Sequence, residues 1–285
     1  IVAFWGLETN FGGYMGSFQV IDALATLAYN PRRAAFFRAE LLDALRIVDQ
    51  GHITPDLMKG SWAGAMGHMQ FMPSTFRRHA VDYTGSGRKD IWNSLPDAFA
   101  SAAGFLSDIG WQRGELWGRE VLLPDDFDLG LAGMQTKKTV NTWADLGVRR
   151  ANGALLPEAE MEGSVILPQG REGPAFLVYN NFRVIMGWNR SINYAITVGH
   201  LADRIIGLPE IINGHDAAHT PLSRADIKKI QTGLNRLGFD AGPEDGIAGP
   251  QTNTAIRSFQ VDQGLPPDGY ASPDLLERLQ NTAKD

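Results

Sequence analysis

The chain reads as mainly α with a smaller β component, an α+β protein of two domains. The first spans 1–212 and is helical with a small sheet inserted at about 136–186; a linker follows at 213–221, and a small helical domain fills 222–285. Three observations predict this. Apolar residues recur at helical spacing through the first 110 residues and again before residue 206, short β-type runs broken by Gly and Pro cluster between them, and the last sixty-odd residues carry helical stripes between Asp-Gly and Gly-Pro turns. At 285 residues the chain exceeds a typical single domain.

The chain opens on Ile1-Val2-Ala3-Phe4-Trp5, which has the texture of a buried helix already under way, so further chain is expected upstream. Ser17 to Leu27 and Arg32 to Val48 carry helical spacing; Phe36, Phe37, Leu41, Leu45 and Val48 form the apolar stripe of the second, with Pro31 in its first turn. Pro73-Ser74-Thr75-Phe76 reads as a helix start, and Asp97 to Ile109 as an amphipathic helix ended by Gly110. Strand-like runs follow at Ser164–Leu167, Ala175–Tyr179 and Phe182–Ile185, and Ser191 to Ile206 returns to helix. Beyond the linker, Ile227, Ile230, Leu234 and Leu237 form one stripe ending at Gly238, and Ala255, Ile256 and Phe259 another.

Composition narrows the function. Hydrophobic residues make up 44% and mean hydropathy is −0.18, ordinary for a soluble chain with a real core. A net charge of −6, a pI near 5.5 and no long Lys/Arg run argue against nucleic-acid binding. No apolar run reaches membrane-spanning length. Cysteine is absent, which excludes disulfides and thiolate metal sites, and the six histidines show no spacing of the His-Glu-x-x-His kind.

One side chain stands out chemically. Glu8 lies in Phe4-Trp5-Gly6-Leu7-Glu8-Thr9-Asn10-Phe11-Gly12, where a helix would put Phe4 and Trp5 on its own face. Apolar crowding disfavours the carboxylate and raises the pKa toward the range where the acid can donate a proton at neutral pH; the alternative is a solvated surface glutamate. A second stretch, Gly60-Ser61-Trp62-Ala63-Gly64-Ala65-Met66-Gly67-His68-Met69-Gln70-Phe71-Met72-Pro73-Ser74, sets glycines among a few polar side chains, as a backbone that lets a ligand come close would require.

Together with Ile21–Ala28, the pair Arg32-Arg33, Asn180-Asn181-Phe182, Trp188-Asn189-Arg190-Ser191 and Tyr194-Ala195, these motifs resemble the catalytic domain of the lytic murein transglycosylase B family, lysozyme-like enzymes that cut peptidoglycan glycan strands. From Leu222 to Leu279 the chain is similar to the small three-helix peptidoglycan-binding domain, through Asp245-Gly246-Ile247-Ala248-Gly249-Pro250 and Phe259-Gln260. Near the lower size limit for independent folding, those motif positions are expected to serve turns and core first.

The resemblance implies a mechanism. Glu8 matches the family's single acid/base, which protonates the oxygen between N-acetylmuramic acid and N-acetylglucosamine and then takes a proton from the muramoyl C6 hydroxyl as it attacks C1, leaving a 1,6-anhydro end. Ser61 and Gln70 match positions that bond the glutamate or the sugar, Phe71 a cleft wall, and Arg32 and Arg33 a cleft-facing pair. Asn181, Phe182, Trp188 and Tyr194 match the late cleft motif, with Trp188 where a tyrosine is common. Read from the residues alone, Ser61 could equally cap a turn, Gln70 satisfy loop backbone, and Arg32-Arg33 be a solvated helix start. A water-using muramidase on the same fold and a non-catalytic peptidoglycan scaffold stay as alternatives.

No cofactor is required by this chemistry. Some family members hold calcium in a loop matching Asp82–Asp90 with Asp97, but Ser86 and Arg88 stand here where acidic or neutral ligands would help, so weak calcium binding or none is expected. The resemblance implies glycan strands as substrate, cell-wall synthesis proteins as candidate partners, and a periplasmic location, with any signal or lipid anchor upstream.

Overall fold

The computed structural model describes residues 1–213 and 222–282. The predicted linker therefore lies, Asn213 apart, outside the described residues, as do His215 and His219. The chain divides into two compact units, Ile1–Gly114 with Arg183–Pro209, and Glu115–Phe182 with Glu210–Asp285.

The first unit is helical: α1 Val2–Thr9, α2 Val20–Tyr29, α3 Ala34–Asp49, α4 Pro73–His79 and α5 Leu95–Asp108, with a two-stranded antiparallel pair, β1 Phe18–Gln19 and β2 Lys59–Gly60. The predicted apolar stripe on α3 is displaced. Its buried row is Phe37, Glu40, Ala44 and Ile47, while Phe36 and Leu45 are exposed. The reason is polar: Glu40, only 4% exposed, accepts from Ser74 N at 2.9 Å and Ser74 Oγ at 2.7 Å, capping α4 from a neighbouring helix. Arg33 precedes α3 with φ 62°, so Pro31 sits outside the helix and not in its first turn. Pro73 does open α4 as predicted.

The glycine-rich loop folds onto its own protein. A Cβ on Gly60 would meet Ala65 O at 2.1 Å, one on Gly64 would strike the Leu24 side chain, and one on Gly67 would come within 2.6 Å of Ile91 O. These glycines let backbone approach backbone, where the sequence suggested room for a ligand.

The second unit contains β3 Gly118–Leu122, β4 Lys138–Thr139, α6 Val140–Asp145, β5 Arg149–Arg150, β6 Glu162–Ile166 and β7 Ala175–Val178. The sheet has the order β4-β6-β7-β3-β5 with antiparallel neighbours, over a core that includes Val121, Trp143, Val165 and Leu177. It thus begins at Gly118, earlier than the predicted 136, and ends at Val178. Phe182–Ile185, predicted as strand, belongs to α7 Asn180–Trp188. A four-residue stretch with three apolar residues does not distinguish strand from buried helix, and here Phe182 and Ile185 are buried at i, i+3 spacing. The chain continues into α8 Ile192–Ile205, capped by Ser191 Oγ accepting from Tyr194 N.

Past the linker come α9 Arg224–Arg236, α10 Pro250–Asp262 and α11 Pro273–Thr282, packed on Ile230, Leu234, Ile256, Phe259, Leu275 and Leu279. Two buried glutamines organise the turns in parallel ways. Gln231 Oε1 accepts from Gly246 N and its Nε2 donates to Asp245 Oδ1; Gln260 Oε1 accepts from Gly269 N and its Nε2 donates to Asp268 Oδ1. Replacing Gln260 by Ala orphans the buried Gly269 amide, at a cost of about 1–3 kcal/mol. In a domain this small we expect an early, separate thermal transition in the Gln260→Ala chain, seen by calorimetry; a single unfolding peak at the parent temperature contradicts it.

Candidate active site

The site grows from the end of α1. Its last residues curl into left-handed backbone at Asn10 (φ 49°) and Phe11 (φ 56°), which turns the Phe11 ring back over the helix. A Cβ on Gly6 would lie 2.7 Å from that ring, so a glycine inside a helix, otherwise unfavourable, makes the seat for Phe11. Phe11 meets Trp5 edge to face at 5.6 Å. Trp5 Nε1 donates to His68 Nδ1 at 3.1 Å, and burial holds that imidazole below its ordinary pKa, which suits the acceptor role. Thr9, 2% exposed, donates through Oγ1 toward Trp5 O and His68 O and accepts from Gly12 N. The helix that carries Glu8 is therefore tied to the glycine-rich loop.

Glu8 itself is partly buried and both its protein hydrogen bonds end on one oxygen. Trp188 Nε1 donates to Oε1 at 3.1 Å, and the Tyr194 hydroxyl donates to the same atom. Aromatic rings stand behind these donors: Phe4 lies 4.6 Å from Trp188 and 6.3 Å from Tyr194, and Phe71 and Phe105 lie 5.4 and 5.1 Å from Trp188. Burial raises the Glu8 pKa above the ordinary carboxyl value, and the two hydrogen bonds pull the other way without cancelling it. Burial and the neighbouring Glu8 push the Tyr194 phenol far up, so it remains a donor.

The other predicted site residues divide. Trp188 and Tyr194 meet at Glu8. Phe71, 2% exposed, is core behind Trp188 and not a cleft wall. Asn181 and Phe182 are fully buried in the second unit, Asn181 Nδ2 donating to Glu115 O and Phe182 packing on Trp117, so neither reaches a substrate there. Ser61 Oγ accepts from Ala63 N and Ala65 N, the turn-capping alternative, with its proton still free to be donated. Gln70 spends its amide nitrogen on Met15 O and Gly67 O. Arg32 and Arg33 are exposed, and Arg33 stacks over Phe36 at 4.3 Å. Thr9 and His68 went unrecognised as supports of the acid, although a threonine one turn after Trp5 was a legible signal. Trp62, 63% exposed within the loop, is a further aromatic that the motif contained without being singled out.

The loop at Asp82 fits a cation poorly. Asp82 accepts from Ser86 N and Gly87 N, Asp90 from Trp92 N and Asn93 N, and the buried Asp97 from Tyr83 N, Thr84 N and Asp90 N. These carboxylates accept from the loop's own amides, which leaves each fewer lone pairs for a cation.

A family model described as the transglycosylase SLT domain matches residues 1–203, and one described as a putative peptidoglycan binding domain matches residues 223–279. Membrane-bound lytic murein transglycosylase B of Escherichia coli (strain K12) is 33% identical over 207 residues, 72% of this chain; the chain spans only 56% of that relative's length. SltB3 from Pseudomonas aeruginosa, solved in complex with NAG-anhNAM-pentapeptide, superposes with a TM-score of 0.94 at 46% identity, covering 98% of this chain and 75% of that one. The Escherichia coli lytic transglycosylase Slt35, solved in complex with calcium, gives 0.62 at 32% identity over 72% of this chain and 64% of that one.

The raised pKa of Glu8 links stability to pH. Between the ordinary carboxyl value and the raised one, the folded chain keeps a proton that the unfolded chain has lost, so the acid's contribution is whole below that window and lost above it. Glu8→Gln is neutral throughout. Its melting temperature, relative to the parent, should climb as pH rises through the window and then level off; a constant or shrinking difference contradicts the burial of the acid.

Proposed function

The chain belongs to the transglycosylase SLT family, and from that premise we propose that it is a lytic transglycosylase that cleaves the β-1,4 bond between N-acetylmuramic acid and N-acetylglucosamine, with Glu8 as acid and base. The observation that carries this reading is a lone raised carboxyl. Burial and two neutral donors shift Glu8, and none of the groups that shift it among the described residues is a carboxylate. A glycosidase that uses water or a covalent intermediate needs a partner carboxylate within about 5–10 Å. Attack by the sugar's own C6 hydroxyl does not, because an internal nucleophile held over its ring carbon has an effective molarity that replaces the partner.

In the reaction, Glu8 gives its proton to the glycosidic oxygen as the bond to C1 breaks, and the resulting carboxylate takes the C6 hydroxyl proton as that oxygen bonds C1. The proton count closes on the enzyme, and a 1,6-anhydro end leaves. With its nitrogen held by backbone, Gln70 would accept from a sugar hydroxyl through Oε1, and Ser61 would donate its hydroxyl hydrogen to a sugar oxygen. Arg32 and Arg33 would meet the carboxylates of stem peptides. The C-terminal domain would hold the same polymer, whose place is the cell-wall space and, in this reading, the periplasm. No helix among the described residues is long and apolar enough to cross a membrane.

Two outcomes test the proposal. Muropeptides released from purified sacculi should carry anhydro ends, lighter by one water than reducing ends in mass spectrometry; reducing ends would mean a hydrolase, and no release a scaffold. Glu8→Gln should lose at least about a thousandfold in rate, since an amide cannot donate the proton. We also propose that the activity is independent of calcium, because the Asp82–Asp97 loop satisfies itself. Adding millimolar calcium after chelation should leave both rate and melting temperature where they were, whereas a rise of several degrees would show a bound ion.

A further inference from the structure

Glu8 has two oxygens in unlike surroundings. Oε1 accepts both the Trp188 indole N–H and the Tyr194 hydroxyl. Oε2 has no hydrogen-bond partner among the described residues, and it is not one of the buried atoms left without one, so it reaches accessible space. An oxygen that receives two donors has both in-plane lone pairs engaged, so a proton on the carboxyl is better accommodated on the other oxygen. From this asymmetry we infer that Trp188 and Tyr194 are positioning residues that keep the Glu8 proton on Oε2, so that the same oxygen delivers the proton to the leaving group and retrieves it from the incoming hydroxyl.

This rests on the reading of Glu8 as the acid, and it adds which atom acts. The consequence for the cycle is economy of motion. After Oε2 has lost its proton, the carboxylate stays clamped at Oε1 by donors that strengthen as charge develops there, and the lone pairs of Oε2 already face the sugar. No rotation of the carboxyl separates the two transfers. The indole and the phenol come from different helices, α7 and α8, so the clamp also fixes the carboxyl plane. The rings of Phe4, Phe71 and Phe105 hold the indole in its turn. Among the described residues, Tyr194 is the titratable group that shifts Glu8; Arg183 on α7, His200, Asp203 and Arg204 on α8, and His68 on the glycine-rich loop are the other titratable groups of the surrounding elements.

Trp188→Phe and Tyr194→Phe each delete one donor; the second keeps its ring and the first leaves a smaller aromatic ring in place of the indole. Because each donor favours the carboxylate, each deletion should move the alkaline limb of the kcat/KM profile up by about half to one pH unit. The double variant should lose about tenfold in kcat at its own optimum with KM nearly unchanged, since both oxygens then compete for the proton. Had these residues served as sugar contacts instead, KM would rise and the limb would stay. Trp188→Tyr, which can restore a donor, should recover part of the shift. Infrared difference spectra of the parent chain give a second readout that needs no variant: the protonated Glu8 C=O stretch, assigned by its loss in Glu8→Gln, should fall at the low-frequency end of the carboxylic-acid range, as a doubly bonded acceptor requires. An unshifted limb in both single variants, or a C=O stretch typical of a free acid, overturns the inference while an inactive Glu8→Gln leaves the acid assignment standing. An active Glu8→Gln overturns both.

Discussion

A carboxyl withdrawn from water on one side and held by one oxygen on the other is the constraint to which the rest of the first unit answers. Burial alone would raise the acid and leave it free to turn; hydrogen bonds alone would lower it below the ordinary range. Here both act. Each neutral hydrogen bond contributes about 0.5–1.5 kcal/mol, less than the several kcal/mol that withdrawing a carboxylate from solvent costs. Burial therefore sets the direction of the pKa, and the donors set the orientation.

Holding that balance demands a rigid α1, which at eight residues is too short to be stable on its own. Its rigidity comes from outside. Thr9, His68 and Trp5 join the helix to the glycine-rich loop, α8 packs alongside it, and the Phe11 ring closes over Gly6. Strain at Asn10 and Phe11, two consecutive left-handed residues without the freedom of glycine, is the local cost of that closure. The loop in turn is fixed because Gly16, Gly60 and Ala65 approach backbone to backbone more closely than any side chain permits.

Much of this was legible in the sequence, for reasons that can be named. Long helices with clear periods, α5 and α8, fall within a few residues of their predicted bounds because capping serines and terminal glycine fix their ends. The acid was legible because a Glu between Phe4, Trp5 and Phe11 breaks the pattern of its surroundings. What could not be read was which polar atoms the protein spends on itself. Asn181 and Phe182 look like cleft residues by motif and are core by burial, and Glu40 looks like a surface residue and is a cap. Such roles depend on a partner far along the chain: Glu40 on Ser74, Glu8 on Trp188 and Tyr194. Strand β3 was missed because Gly118–Leu122 is short and carries Arg119 and Glu120 in its middle.

The C-terminal domain shows the same economy twice over. Its two Gln and Asp-Gly pairs, Gln231 with Asp245-Gly246 and Gln260 with Asp268-Gly269, perform the same bonding task on successive helices: the amide carbonyl takes the turn's glycine N–H, and the amide nitrogen holds the turn's aspartate. Gly246 and Gly269 both have φ near 75°, and a Cβ on either would strike an arginine, so the turns admit nothing larger. The two Asp-Gly turns thus share one physical role, the closing of a helix–turn junction in a core too small to close it by apolar burial alone. The motif residues that make these bonds, Gln231 with Gly246 and Gln260 with Gly269, are thereby engaged in building the domain.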